Sequence, residues 1–83
     1  MKQYRFISDP GHAWLEVPQA ELGALRIKPS SYSYQNEGMV YLEEDCDASL
    51  FIDAQGLTSK DIVEVYQDPT PIRGYAHWNG GAS

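Results

Sequence analysis

The sequence predicts a small α+β protein: a mainly antiparallel sheet of about five or six strands with two short helices, in the order ββα–ββα–ββ. Three observations favour this class. Several short stretches alternate apolar and polar residues, as half-buried strands do. Turn residues separate most neighbouring stretches by a few positions, which favours hairpins. Two other stretches carry apolar residues at helical spacing, and we expect both helices to cover one face of the sheet.

The strands follow from alternation bounded by turns. We expect them at Lys2–Ser8, Ala13–Val17, Ser31–Gln35, Met39–Glu43, Asp61–Gln67 and Ile72–Trp78. The period of two gives each strand two faces. In the second strand Leu15 and Val17 face inward, and Trp14 lies beside Glu16 on the other face. In the fifth strand the same argument turns Val63 and Val65 inward.

Two helices are predicted between these strands. The first, Gln19–Arg26, is short because Gly23 lowers its helix propensity by about 1 kcal/mol. The second begins with Asp45 or Asp47 as the N-cap and closes at Gly56. Its apolar stripe consists of Cys46, Leu50, Phe51, Ala54 and Leu57.

Length and composition indicate one domain over residues 1–78 and a flexible tail over residues 79–83. The single cysteine excludes an internal disulfide and favours a reducing compartment. The sequence shows neither a membrane-spanning run nor a signal-peptide pattern. We therefore expect a cytoplasmic protein with no membrane partner.

Negative charge is concentrated in the second half of the chain. The net charge is −6, and residues 29–72 hold nine acidic residues against Lys60, a net charge of −8. Such a field repels nucleic acid and attracts basic surfaces. We expect no direct nucleic-acid binding, and we expect the surplus acids to share one exposed side of the molecule.

The candidate chemical groups lack the spacing of known sites. Cys46 with His12 or His77 would resemble a nucleophile and base. Nearby carboxylates disfavour the thiolate, however, and we expect Cys46 to be a buried structural residue. The acids at positions 43–47 do not follow a calcium-loop pattern, and the histidines do not pair at zinc spacing. We predict no catalytic residue, no metal site and no cofactor.

Three segments resemble a group of small phage and prophage proteins of unknown activity: Ser8–Pro18, Ser30–Gln35 and Tyr41–Asp47. The resemblance covers about residues 4–75 and carries no catalytic motif. Small acidic phage proteins include anti-CRISPR proteins. The resemblance therefore implies a protein that works inside a host bacterial cell, where it binds a Cas subunit of an RNA-guided complex and blocks its basic DNA channel.

These observations predict a non-enzymatic inhibitor, a monomer or weak homodimer, whose acidic face occupies a basic, nucleic-acid-binding surface of a host defence protein, as a DNA mimic would. Acids would steer association, and the surplus of large aromatic residues would supply affinity. The expected contact residues are Glu37, Glu43, Glu44, Asp47, Asp53 and Glu64, with Tyr32, Tyr34 and Tyr41 as anchors. The alternatives are a small metal-binding or hydrolytic enzyme and a regulatory homo-oligomer formed through the edge of the last strand.

Overall fold

Six strands form one mixed sheet in the computed structural model, which describes residues 3–79. Two α-helices and two short 3-10 helices, Ser59–Asp61 and Pro71–Gly74, complete the fold. In chain order the strands and α-helices are β1 (Tyr4–Ser8), β2 (Ala13–Pro18), α1 (Gln19–Leu25), β3 (Tyr34–Asn36), β4 (Met39–Glu43), α2 (Ala48–Gln55), β5 (Ile62–Tyr66) and β6 (Ala76–His77).

The strand order is β5–β1–β2–β4–β3–β6. The predicted α+β class and the predicted order of elements are confirmed. Four of the five strand pairings are antiparallel, as expected from the hairpins. The exception is β5, which pairs parallel to β1 because α2 carries the chain back to the far edge of the sheet.

The two faces of the sheet carry separate apolar clusters. On one face, Leu22 of α1 and Phe51 of α2 pack on inward residues of the central strands such as Leu15 and Val40. On the other face, Trp14 and Tyr41 pack with Ile72, which belongs to the second 3-10 helix. The expected alternation of β2 is confirmed, since Leu15 and Val17 join the helix-side cluster and Trp14 joins the other.

The last predicted strand is largely wrong. Residues 71–74 form a 3-10 helix, and only Ala76–His77 pair with β3. Thr70 explains the difference, because its side chain accepts a hydrogen bond from the Ile72 amide and caps the turn that Pro71 begins. Residue 2 of the predicted first strand and residues 80–83 of the predicted tail lie outside the described residues.

Three predictions of burial are also wrong. Val63 is 40% exposed, because β5 lies at the edge of the sheet. Val65, on the same face of β5, packs against the cluster that contains Trp14. Cys46 is exposed, because α2 begins at Ala48 and leaves the cysteine in the preceding turn. Leu50, assigned to the same stripe, is 53% exposed. The buried side of α2 is instead formed by Ala48 and Phe51.

Candidate functional site

A cleft of about 310 Å³ opens at the end of the sheet where the β1–β2 turn meets the end of β4. We call it the Trp14 cleft. Strand register builds it, because Trp14 pairs with Glu43 across β2 and β4, and Tyr34 pairs with His77 across β3 and β6. Residues distant in sequence thus meet at one place. Its lining consists of His12, Trp14, Tyr32, Tyr34, Glu43, Asp45, Cys46, Arg73 and His77.

Aromatic rings form one part of this cleft. Trp14 meets Tyr34 edge to face, with ring centroids 6.1 Å apart, and Tyr34 stacks on His77 at 4.6 Å. The Nδ1 atom of His77 lies 2.8 Å from the carbonyl oxygen of Ser31, so this nitrogen donates and Nε2 remains for other partners. Tyr32 is 67% exposed and extends the aromatic surface into solvent. Among these rings Tyr32 and His77 are the exposed ones, and they offer ring faces to a flat or cationic group.

Arg73 closes one wall of the cleft. Its guanidinium lies 5.4 Å from the centroid of the Trp14 ring and donates two hydrogen bonds to Asp9. The guanidinium holds the pKa of Asp9 far below its usual range. The same carboxylate accepts hydrogen bonds from the amides of Gly11 and His12, which fixes the turn that carries the histidine. The positive charge of Arg73 is thus neutralised within the protein.

Glu43 is buried at the base of the acidic rim and is 8% exposed. Its Oε1 atom accepts hydrogen bonds from the amides of Asp45 and Cys46, at 2.9 and 3.1 Å. The carboxylate therefore holds the turn between β4 and α2. The expectation that Glu43 projects freely into solvent is wrong, because this turn needs an acceptor for two amides that begin no regular element.

Asp47 is 3% exposed and holds a neighbouring loop. It occupies the N-cap position of α2, as expected, but its side chain makes no capping hydrogen bond. Its Oδ2 atom instead accepts from the amide and hydroxyl of Ser30, at 3.0 and 2.7 Å, and from the hydroxyl of Ser33. The prediction of Asp47 as an exposed acid is therefore wrong, and its carboxylate fixes the loop that carries Tyr32.

Cys46, His12 and His77 line the same cleft, although they are 31 to 65 positions apart in the sequence. The pKa of Cys46 is raised by partial desolvation, then by a hydrogen bond to Glu43 and by the charges of the surrounding carboxylates. The thiol is therefore neutral at ordinary pH. The cleft assembles the residue types of a nucleophilic site without activating the nucleophile.

The remaining predicted contact residues do not form one acidic side. Glu37 precedes β4 and Glu44 follows it, so the strand places them at opposite ends of the sheet. Asp53 and Glu64 are exposed on α2 and β5, away from the cleft lining. Tyr41 is buried, and its hydroxyl donates to Glu16 at 3.0 Å. The expectation of a single exposed acidic side is thus wrong, because strand direction separates acids that are near in sequence.

Sequence reasoning did not identify Trp14 and Arg73 as parts of the site. The alternation of β2 placed Trp14 on the face opposite the helices, and that pattern was the available signal. Arg73 gave none, because its contact with Asp9 spans 64 positions. Glu44 and Asp45 remain exposed beside the cleft, and among residues 3–79 neither takes part in an ion pair.

Within the described part of the chain, neither helix has the length and apolar character needed to span a membrane. Comparison with known proteins gives no relative: no family model matches the chain, and neither the curated proteins nor the solved structures contain a significant match. The resemblance to phage proteins therefore stays a prediction.

Proposed function

We propose that this protein is a non-enzymatic binding protein that docks the rim of the Trp14 cleft on a cationic surface of another protein. The observation that carries the proposal is that two exposed acids, Glu44 and Asp45, lie beside an aromatic cleft and form no ion pair among residues 3–79. Carboxylates attract a basic surface over a distance, and ring faces hold a cationic side chain by close contact.

The cleft suits an arginine side chain of the partner. A guanidinium stacks on aromatic faces and pairs with carboxylates at once, which a compact ammonium does less well. Tyr32 stands at the mouth with two-thirds of its surface exposed and is available as an anchor. Tyrosine is among the residues that dominate binding energy in protein interfaces. The contact acids are therefore Glu44, which was predicted from the sequence, and Asp45, which was not.

The partner class follows from charge. A chain of net charge −6 associates fastest with a strongly basic surface, and nucleic-acid-binding proteins supply such surfaces. We therefore propose an inhibitor that occupies a nucleic-acid-binding surface of a bacterial defence protein. A CRISPR effector subunit is the first candidate, since the resemblance to phage proteins points there.

The proposal is tested with a labelled hexa-arginine peptide and with purified CRISPR effector complexes, in EDTA. We expect the double variant Glu44→Lys/Asp45→Lys to weaken binding at least about tenfold, because two attractive charges become repulsive. The matched control is Glu37→Lys/Asp53→Lys, which changes the net charge equally at sites away from the cleft. Tyr32→Ala should weaken binding without changing its salt dependence.

Equal losses in the two charge variants would contradict the proposal, because they would show that only net charge matters. Failure of every effector complex to bind, with the peptide still bound, would exclude the CRISPR partner but not docking on a cationic surface.

A homo-oligomer through β6 is a second candidate, because both residues of this edge strand are exposed. Light scattering that gives a dimer would favour it.

A further inference from the structure

We infer that His12, Glu43 and Glu44 bind one divalent transition-metal ion at the rim of the Trp14 cleft. Each residue offers one ligand atom, and these atoms lie within 4.8 Å of one another. An imidazole nitrogen and two carboxylate oxygens form a mixed donor set of the kind that holds zinc or manganese. Three protein ligands leave coordination positions for water or for a group from a partner.

Glu43 is already oriented for this role. The amides of Asp45 and Cys46 hold its Oε1 atom, which leaves Oε2 facing His12 at 3.8 Å from Nδ1. That separation is too long for a hydrogen bond. Bonds of about 2.0–2.2 Å at the tetrahedral angle place two ligand atoms about 3.4 Å apart, so binding an ion would draw Oε2 and Nδ1 together by a few tenths of an ångström.

The surroundings fix the histidine as well. Asp9 accepts a hydrogen bond from the backbone amide of His12, and Arg73 holds Asp9 in turn. The ligand-bearing turn is therefore braced by a charged pair rather than left mobile. Such supporting contacts reduce the entropy that a site loses when it binds an ion.

A second observation concerns the side chain of Trp14, which lies beside the cluster. Trp14 lines the cleft, lies 6.1 Å from the His12 ring, and is 2% exposed. Its indole nitrogen has no hydrogen-bond partner among the described residues. A buried donor without an acceptor costs about 1–3 kcal/mol. Trp14 therefore brings a buried, unsatisfied donor into the wall of the cleft that also carries the cluster.

The donor set also selects the ion. Calcium and magnesium prefer oxygen ligands alone, and magnesium keeps most of its water. The imidazole of His12 favours zinc over both, and the two carboxylates also suit manganese. Two ionised carboxylates match the charge of a divalent cation. Exposed Asp45 lies beside the cluster without belonging to it, and therefore provides a matched control.

Calorimetry of the EDTA-treated full chain with Zn²⁺, Mn²⁺, Mg²⁺ and Ca²⁺ tests the inference. We expect one Zn²⁺ or Mn²⁺ per chain, and much weaker binding of Mg²⁺ and Ca²⁺. Glu44→Gln and His12→Asn should each weaken binding about tenfold or more. Asp45→Asn removes the same charge and should change affinity by less than about threefold. Circular dichroism checks that each variant folds.

An optical readout separates this site from metal bound elsewhere. Ni²⁺ should quench the fluorescence of Trp14, which is next to the cluster, and Trp14→Phe should abolish the saturable part of the quenching. Absence of Zn²⁺ and Mn²⁺ binding overturns the inference. So does an equal loss in Asp45→Asn and Glu44→Gln, which would indicate diffuse attraction to negative charge, or tight binding of Mg²⁺ at the same stoichiometry.

Discussion

Replacement of Asp47 by alanine should destabilise the whole domain. Its buried Oδ2 atom accepts three hydrogen bonds, two from Ser30 and one from Ser33. Each hydrogen bond to a charged group contributes about 1.5–3 kcal/mol, and the hydroxyls can recover part of this by turning toward water. We expect a loss of about 3–5 kcal/mol. A domain of this length has about 4–12 kcal/mol in total, so the variant would be close to unfolding.

Urea denaturation followed by circular dichroism measures this loss. Asp47→Asn keeps an acceptor oxygen of the same size without its charge, and it should lie between the wild type and Asp47→Ala, because charge-assisted hydrogen bonds are about twice as strong as neutral ones. Exposed Asp45→Ala should change the free energy of unfolding by less than about 0.5 kcal/mol. A loss below about 1 kcal/mol for Asp47→Ala would refute the reasoning that this carboxylate holds the loop.

Two further predictions concern the core and the pH dependence. Phe51→Ala should cost about 3–5 kcal/mol of stability in urea denaturation, because Phe51 is fully buried. Leu50→Ala should cost less than about 0.5 kcal/mol, because Leu50 is 53% exposed. Similar losses in the two variants would instead support the buried stripe that the sequence predicted. Glu16 accepts two hydrogen bonds from Arg5, which lower the pKa of its carboxyl below the ordinary 4.5. Ionised Glu16 therefore stabilises the fold above pH 4.5, and this contribution is lost as the pH falls through the lowered pKa. Between about pH 5 and 3, Glu16→Gln should lose less stability than the wild type, by under about 1 kcal/mol because Arg5 is half exposed; equal pH profiles would show that the pair has no net effect.

Local sequence pattern determined most of the fold. Alternation placed the first five strands within a few residues, and Gly56 closed α2 in the left-handed conformation expected of it. The same pattern assigned Leu15, Val17 and Trp14 to the correct faces of β2. These features succeed because side-chain direction within a strand and the end of a helix depend on neighbouring residues.

Tertiary contacts decided which acidic side chains are exposed to solvent. In the sequence Glu43, Glu44, Asp45 and Asp47 are one acidic run, yet two of them are buried and two are exposed. The difference arises from distant partners. Asp47 is buried because the loop at Ser30 and Ser33 lies against it, and no local pattern records that contact.

The Trp14 cleft likewise exists only in three dimensions. Its walls come from the β1–β2 turn, the end of β4 and the chain after β5, which strand register brings to one end of the sheet. Composition and local pattern are enough to predict a small acidic α+β domain. The structure alone decided where its carboxylates, aromatic rings and histidines meet, because register and loop packing depend on residues far apart in the chain.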